Sequence, residues 1–120
     1  MKLHIHGDSL RLRLNRADVE QFRKTGICAE SLRFSSGSQL TYTLETSYQL
    51  KVTQGQYHQH CIRVLLPINM AQEWASSDQI SISLNRRDGG GPSLLIEKDF
   101  QCPHDDEANL NDNADAFPNL

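Results

Sequence analysis

The sequence lacks every short signature that would by itself announce a catalyst or a metal centre. It contains no CxxC pair, no GxSxG elbow and no HExxH helix. Cysteine is scarce and odd in number: Cys28, Cys61 and Cys102 stand far apart, which fits reduced thiols better than a disulfide framework. No apolar run approaches the ~18 residues that a membrane helix needs. The opening MKLHIHGDSL alternates polar and apolar residues and so lacks the continuous apolar stretch of a secretory signal; the expectation is a cytoplasmic protein with no membrane partner. Aromatic residues make up 7%, with a single tryptophan. What remains is an ordinary composition, 38% hydrophobic and 22% charged over 120 residues, enough chain to bury a core without staples.

Charge is unevenly distributed within the net −3. Residues 1–33 carry seven Lys/Arg against four acids, whereas residues 97–120 carry one lysine against seven acids. An acidic end beside a basic beginning either solvates the chain or competes with an anionic partner for the basic surface. The division expected is one α+β domain over 1–102 and an acidic, largely irregular tail over 103–120, with Phe117-Pro118 as a point where the tail is pinned.

The segment Ile62–Leu84 is the one around which the rest is organised. Ile62, Val64 and Leu66 alternate as a half-buried strand does, and Pro67 ends the run because it has no amide to donate. Met70, Ala71 and Trp74 then share a helical face, with Asn69 as the expected cap, and Ile80, Ile82 and Leu84 resume the alternation. Leu10, Arg11, Leu12, Leu14 and Phe22 echo Ile62, Arg63, Val64, Leu66 and Trp74 at a spacing of 52, so two β-β-α-β repeats are the reading to test.

Elsewhere, Met1, Leu3 and Ile5, then Leu10, Leu12 and Leu14, flank the turn Gly7-Asp8-Ser9 as a β-hairpin. Asn15 caps a helix that Gly26 stops, with Asp18 and Lys24 at the ends that suit its dipole. Further strands are expected over 27–34, around Leu40–Leu44, around Tyr48–Val52 and from Ser93 to about Phe100, with Gln54-Gly55-Gln56 as a turn and the glycine-rich 85–92 as a hairpin connection. The fold expected is an antiparallel, curved sheet or small barrel of seven or eight strands with two short helices.

Two constellations carry chemistry. If the hairpin leucines face the core, Lys2, His4, His6, Arg11 and Arg13 gather on the other face, joined by Arg63 if the repeat holds, and such a surface suits a phosphate or carboxylate. His58, His60, Cys102 and His104 combine imidazole and thiolate, the ligand types that suit zinc, although Cys61 would then point away from the two strand histidines. The function expected is a non-enzymatic binding or regulatory module for an anion. The alternatives are a small metal-binding or cysteine-dependent enzyme centred on Cys102 and His104, with Glu97 and Asp99 beside it, and an assembly protein that pairs through edge strands as a homodimer.

The pieces MKLHIHGDSLRLRL, AQEWASSDQI, EKDFQC and DAFPN together resemble a family of small bacterial proteins of about this length with no assigned function. The resemblance implies a complete, cytoplasmic, single-domain bacterial protein and brings no activity. The central RVLLPINMAQEWASSDQISISL is similar to the repeating half of swapped-hairpin transcription factors and related duplicated barrels. Their DNA-binding versions rely on a basic surface, from which this acidic chain departs, so nucleic acid is not the expected partner.

Overall fold

A computed structural model describes residues 1–86 and 90–100. The first hairpin, β1 (Lys2–His6) and β2 (Ser9–Leu14), turns on Gly7 at φ 55°, a backbone region open to glycine at little cost. Helix α1 (Arg16–Thr25) starts with a capping box: Asn15 Oδ1 accepts from the Asp18 amide at 2.8 Å, and Asp18 accepts in return from the Asn15 amide at 3.1 Å. It ends at Gly26 in the left-handed conformation, whose amide bonds the Phe22 carbonyl. Strands β3 (Ile27–Arg33) and β4 (Gln39–Ser47) follow, then β5 (Gln54–His58), β6 (Cys61–Pro67), α2 (Ile68–Ser76), β7 (Ser81–Leu84) and β8 (Ser93–Lys98).

The α+β class and the two helices match the sequence reading, but the sheet arrangement differs from it. Among the described residues the eight strands form two four-stranded sheets, ordered β1-β2-β8-β7 and β3-β4-β6-β5, and no barrel closes. Each sheet is mixed, not antiparallel: β2 runs parallel to β8, and β4 parallel to β6, between antiparallel hairpins. The reason lies in where the hairpins go. Each sheet combines a leading hairpin from one half of the chain with the trailing strand pair of the other half, and distant strands joined this way meet in the same direction.

The repeat expected as β-β-α-β is matched in part, since each half continues for one more strand, as β-β-α-β-β. Contacts recur with the halves exchanged. The Thr41 amide donates to the His60 carbonyl at 3.0 Å, and Ser93, 52 residues beyond Thr41, donates to Asp8, 52 residues before His60, at 2.9 Å.

Two local expectations are corrected. Tyr48–Val52 is not a strand: β4 extends to Ser47, whose Oγ accepts from the amides of Gln49 and Leu50 and turns the chain out of the sheet. Gln54–His58 is the strand instead, with Gly55 in its interior because a Cβ there would stand 3.1 Å from Pro92 and 3.3 Å from Leu94. Asn69 does not cap α2; the helix begins directly after Pro67, without a side-chain cap, and Asn69 lies inside it.

The core forms where the central strands meet the helices. Leu12, Leu14, Leu44, Val64, Leu66 and Ile96 are fully buried with Phe22 and Trp74, so both parallel pairs and both helices contribute. Trp74 Nε1 donates to the Ile80 carbonyl at 3.1 Å, which satisfies the indole's one polar group inside the core. No helix among the described residues is long and apolar enough to cross a membrane.

Candidate functional site

The register of the first hairpin sets the outer face of the first sheet. Lys2 pairs with Arg13, His4 with Arg11 and His6 with Ser9, while Leu3 and Leu12 stand opposite each other on the core side. Five of the six residues expected in the anion site therefore come together on one face. The neighbouring strand completes it, for β8 runs beside β2 with Ser93 next to Ser9, Leu95 next to Arg11 and Glu97 next to Arg13.

The alternation seen in the sequence did not reveal that last neighbour, and it changes the electrostatics. Arg13 Nε lies 2.9 Å from Glu97 Oε1, out of line for a hydrogen bond, and Arg13 Nη2 lies 3.5 Å from Asp99 Oδ1. Arg11 Nε is 3.8 Å from the same Glu97 oxygen, a looser contact. Glu97 and Asp99, expected to be exposed at a strand end and to serve as acid-base groups beside His104 only if buried, are half-buried and pair with Arg13, Glu97 more loosely with Arg11; His104 lies outside the described residues.

Arg63 does not join this face. It sits on the second sheet and holds Glu45 with two bonds of 2.9 Å, from Nε and Nη2. Arg63 holds the Glu45 carboxyl below the usual carboxylate range, against the opposing effect of burial; the Thr43 hydroxyl, donating at 2.7 Å, also lowers it. Arg11 with Glu97 and Arg63 with Glu45 are counterparts in the two halves, each arginine meeting a glutamate from the other half.

Toward the turn end of the face a depression of about 610 Å³ opens, with His4, His6 and Arg11 on one side and Ser83, Asn85 and Ser93 on the other. The Ser83 hydroxyl and the Asn85 amide can donate to an anion beside the arginine and imidazoles, while the Ser93 hydroxyl is turned to Asn85 Oδ1 and the Arg86 carbonyl. This is the part of the expected site that the fold assembles from both halves of the chain.

Of the four expected metal ligands only His58 and His60 lie among the described residues, and these two diverge. Strand β5 ends at His58, and the backbone turns left-handed at Gln59 and His60, so the two imidazoles do not share a strand face. Among the described residues no group of three or more His, Cys, Asp and Glu side chains is placed to hold a metal ion. Cys102 and His104 lie outside the described residues. Cys28 and Cys61 are free thiols, and burial pushes the Cys28 thiol up, with the nearby Asp18 carboxylate adding to it, the opposite of what a cysteine nucleophile requires.

A model of a family of unknown function, DUF7009, matches residues 1–120. The chain belongs to that family. No curated protein matches it, and neither does any solved structure. Membership thus assigns no reaction and no ligand, and the chemistry of this DUF7009 chain has to be read from its own side chains.

Proposed function

We propose that the protein is a non-enzymatic binding or regulatory module that takes an anionic ligand on the outer face of its first sheet. The depression in which His4, His6 and Arg11 face Ser83, Asn85 and Ser93 supports this reading. Its volume falls in the range of about 300–1,000 Å³ typical of small-ligand sites. Arg13 and Arg63 act as structural cations, already matched by Glu97 and Glu45, while Lys2 lines the far end of the face. A small phosphate or carboxylate compound fits this charge balance better than a duplex, whose binding depends on neutralising many phosphates; the chain's net charge is −3. We also read the two halves as copies of one unit, and the free thiols as those of a bacterial cytoplasmic protein.

Thermal denaturation of the full chain with phosphate, pyrophosphate and a nucleotide series tests the site. A saturable rise in Tm that disappears in the His4→Gln/Arg11→Gln variant is the expected result, since a ligand at a hundred times its Kd stabilises by about 2.7 kcal/mol. No rise with any of these anions would remove the proposal.

Self-association is the second reading, because β3 is an edge strand that leaves Ile27 and Leu32 exposed, with exposed Phe34 just beyond. Light scattering across a concentration series decides it: a homodimer is expected, and a strict monomer at high concentration excludes it.

A further inference from the structure

Two clefts occupy corresponding places in the two halves. One, about 660 Å³, opens between the end of α1 and the start of α2 and is lined by Thr46, Tyr48, Ile68 and Asn69 among others. The other, about 470 Å³, opens between the end of α2 and the start of α1 and is lined by Lys98, Phe100, Arg16 and Ala17 in the matching positions, each 52 residues away. The scaffold is shared, and the chemistry is not. Where the first cleft has threonine, tyrosine and isoleucine, the second has lysine, phenylalanine and arginine.

Lys98 belongs to the core face of β8, in step with Leu94 and Ile96, and is only 8% exposed. Its Nζ donates to the Ser77 carbonyl at 2.7 Å and lies 5.4 Å from the centroid of Trp74 and 5.8 Å from that of Phe100. The Arg16 guanidinium lies 4.4 Å from the centroid of the same Phe100 ring. Among the described residues no carboxylate stands within ion-pair distance of Lys98 or Arg16, although Arg11, Arg13, Arg23 and Arg63 all have one. Among the described residues, the charged groups lining the cleft with Lys98 are Arg16 and Glu20 from α1 and Asp78 after α2, and Glu20 is engaged by Arg23 and Lys24.

A lysine that only caps a helix end works from the surface, with its nitrogen in water. Here burial pulls the ammonium below the ordinary lysine range, with Asp78 acting the other way. A desolvated lysine amine is the usual partner of carbonyl substrates.

We propose that the second cleft takes a small oxo acid, its carboxylate against the Arg16 guanidinium and its carbonyl carbon joined to Lys98 Nζ as an imine. The deprotonated amine adds to the carbonyl carbon, a carbon–nitrogen double bond replaces the carbon–oxygen one, and the oxygen leaves as water. Counted from the ammonium, two of its protons depart in that water and one stays on the imine, so nothing is oxidised or reduced. The cleft is separate from the depression at His4 and Arg11, and neither site depends on the other.

The test is incubation of the full chain with glyoxylate or pyruvate and sodium cyanoborohydride, which fixes an imine as a stable secondary amine. Peptide mass spectrometry then compares the four lysines, Lys2, Lys24, Lys51 and Lys98. Lys98 is expected to be modified first and saturably. The Arg16→Gln variant should lower its modification at limiting oxo acid by roughly tenfold, as loss of one charge-assisted contact implies. The Lys98→Met variant should abolish the preferential adduct while circular dichroism shows the fold retained. If Lys98 is the slowest of the four, as a buried structural cap would be, the proposal is overturned. Modification that is indifferent to Arg16 overturns it too, whether or not the Lys98→Met variant folds.

Discussion

Phe22 and Trp74, 52 residues apart and on different helices, meet edge to face with ring centroids 6.0 Å apart and planes at 67°. Each is the most buried residue of its helix, and both are essentially inaccessible to water. Replacing Phe22 by alanine should therefore lower stability by about 3–5 kcal/mol, the loss expected for a large aromatic removed from a close-packed site. Urea unfolding followed by the fluorescence of Trp74 measures it, and a loss below about 1 kcal/mol would show that the ring contact does not organise the core.

The two arginine-glutamate pairs should differ in strength. Arg63 grips Glu45 through two nitrogens at 2.9 Å, whereas Arg11 stands 3.8 Å from Glu97. Both arginines are well exposed, so each coupling energy lies within the ~0.2–1 kcal/mol of exposed pairs, with the bidentate pair at the upper end. Double-mutant cycles to alanine rank them, and a larger coupling for Arg11 with Glu97 contradicts the geometry.

Acid should weaken the Glu45 pair. Because the folded state lowers the Glu45 pKa, the stabilisation from this group is fully present above the ordinary carboxylate range and is lost as pH falls through the depressed value. The Glu45→Gln variant is expected to flatten the pH dependence of the unfolding midpoint below about pH 4.5, the ordinary range of a glutamate. Parallel curves for the variant and the wild type would assign the acid sensitivity elsewhere.

Gly55 marks the close approach of the second sheet to the β7–β8 connection. An added methyl would press on Pro92 at 3.1 Å and Leu94 at 3.3 Å, so the Gly55→Ala variant should be destabilised by about 1–3 kcal/mol through overpacking. An unchanged Tm would show that Pro92 yields freely.

Removing the α1 cap should cost about 0.5–2 kcal/mol in the Asn15→Ala variant. The Asp18 amide then loses its acceptor, while the backbone amide of residue 15 still donates to the Asp18 carboxylate, and chemical denaturation reads the net loss. The Asn15→Asp variant, which keeps an acceptor at this position, should recover most of the loss.

Much of this was legible in the residues. The hairpin of Met1 to Leu14, the cap at Asn15, the stop at Gly26 and the pairing in pattern of Phe22 with Trp74 all follow from periods and caps that act within a few positions. The face that gathers Lys2, His4, His6, Arg11 and Arg13 follows from the same alternation. The strand at Gln54–His58 was hidden because its glycine and two glutamines look like a turn until Pro92 and Leu94 are placed beside it. Lys98 was legible in principle, since SLLIEK alternates and puts it in line with Leu94 and Ile96, but a lysine at a strand end draws attention to solvent and not to the core.

What the sequence alone determined is most of the elements, the strand at Gln54–His58 excepted, and which face of each is apolar, because backbone hydrogen bonding and side-chain period are settled between near neighbours. Only the tertiary structure decided that β8 lies parallel beside β2 and β4 beside β6, so that Glu97 reaches Arg13, Arg63 stands on a different sheet from Arg11, and Lys98 is enclosed by Trp74 and Phe100. An alternating strand states that one side must be buried, but not against what; that choice belongs to the shared core around Phe22 and Trp74, where strands more than 80 positions apart hide the same apolar surface together.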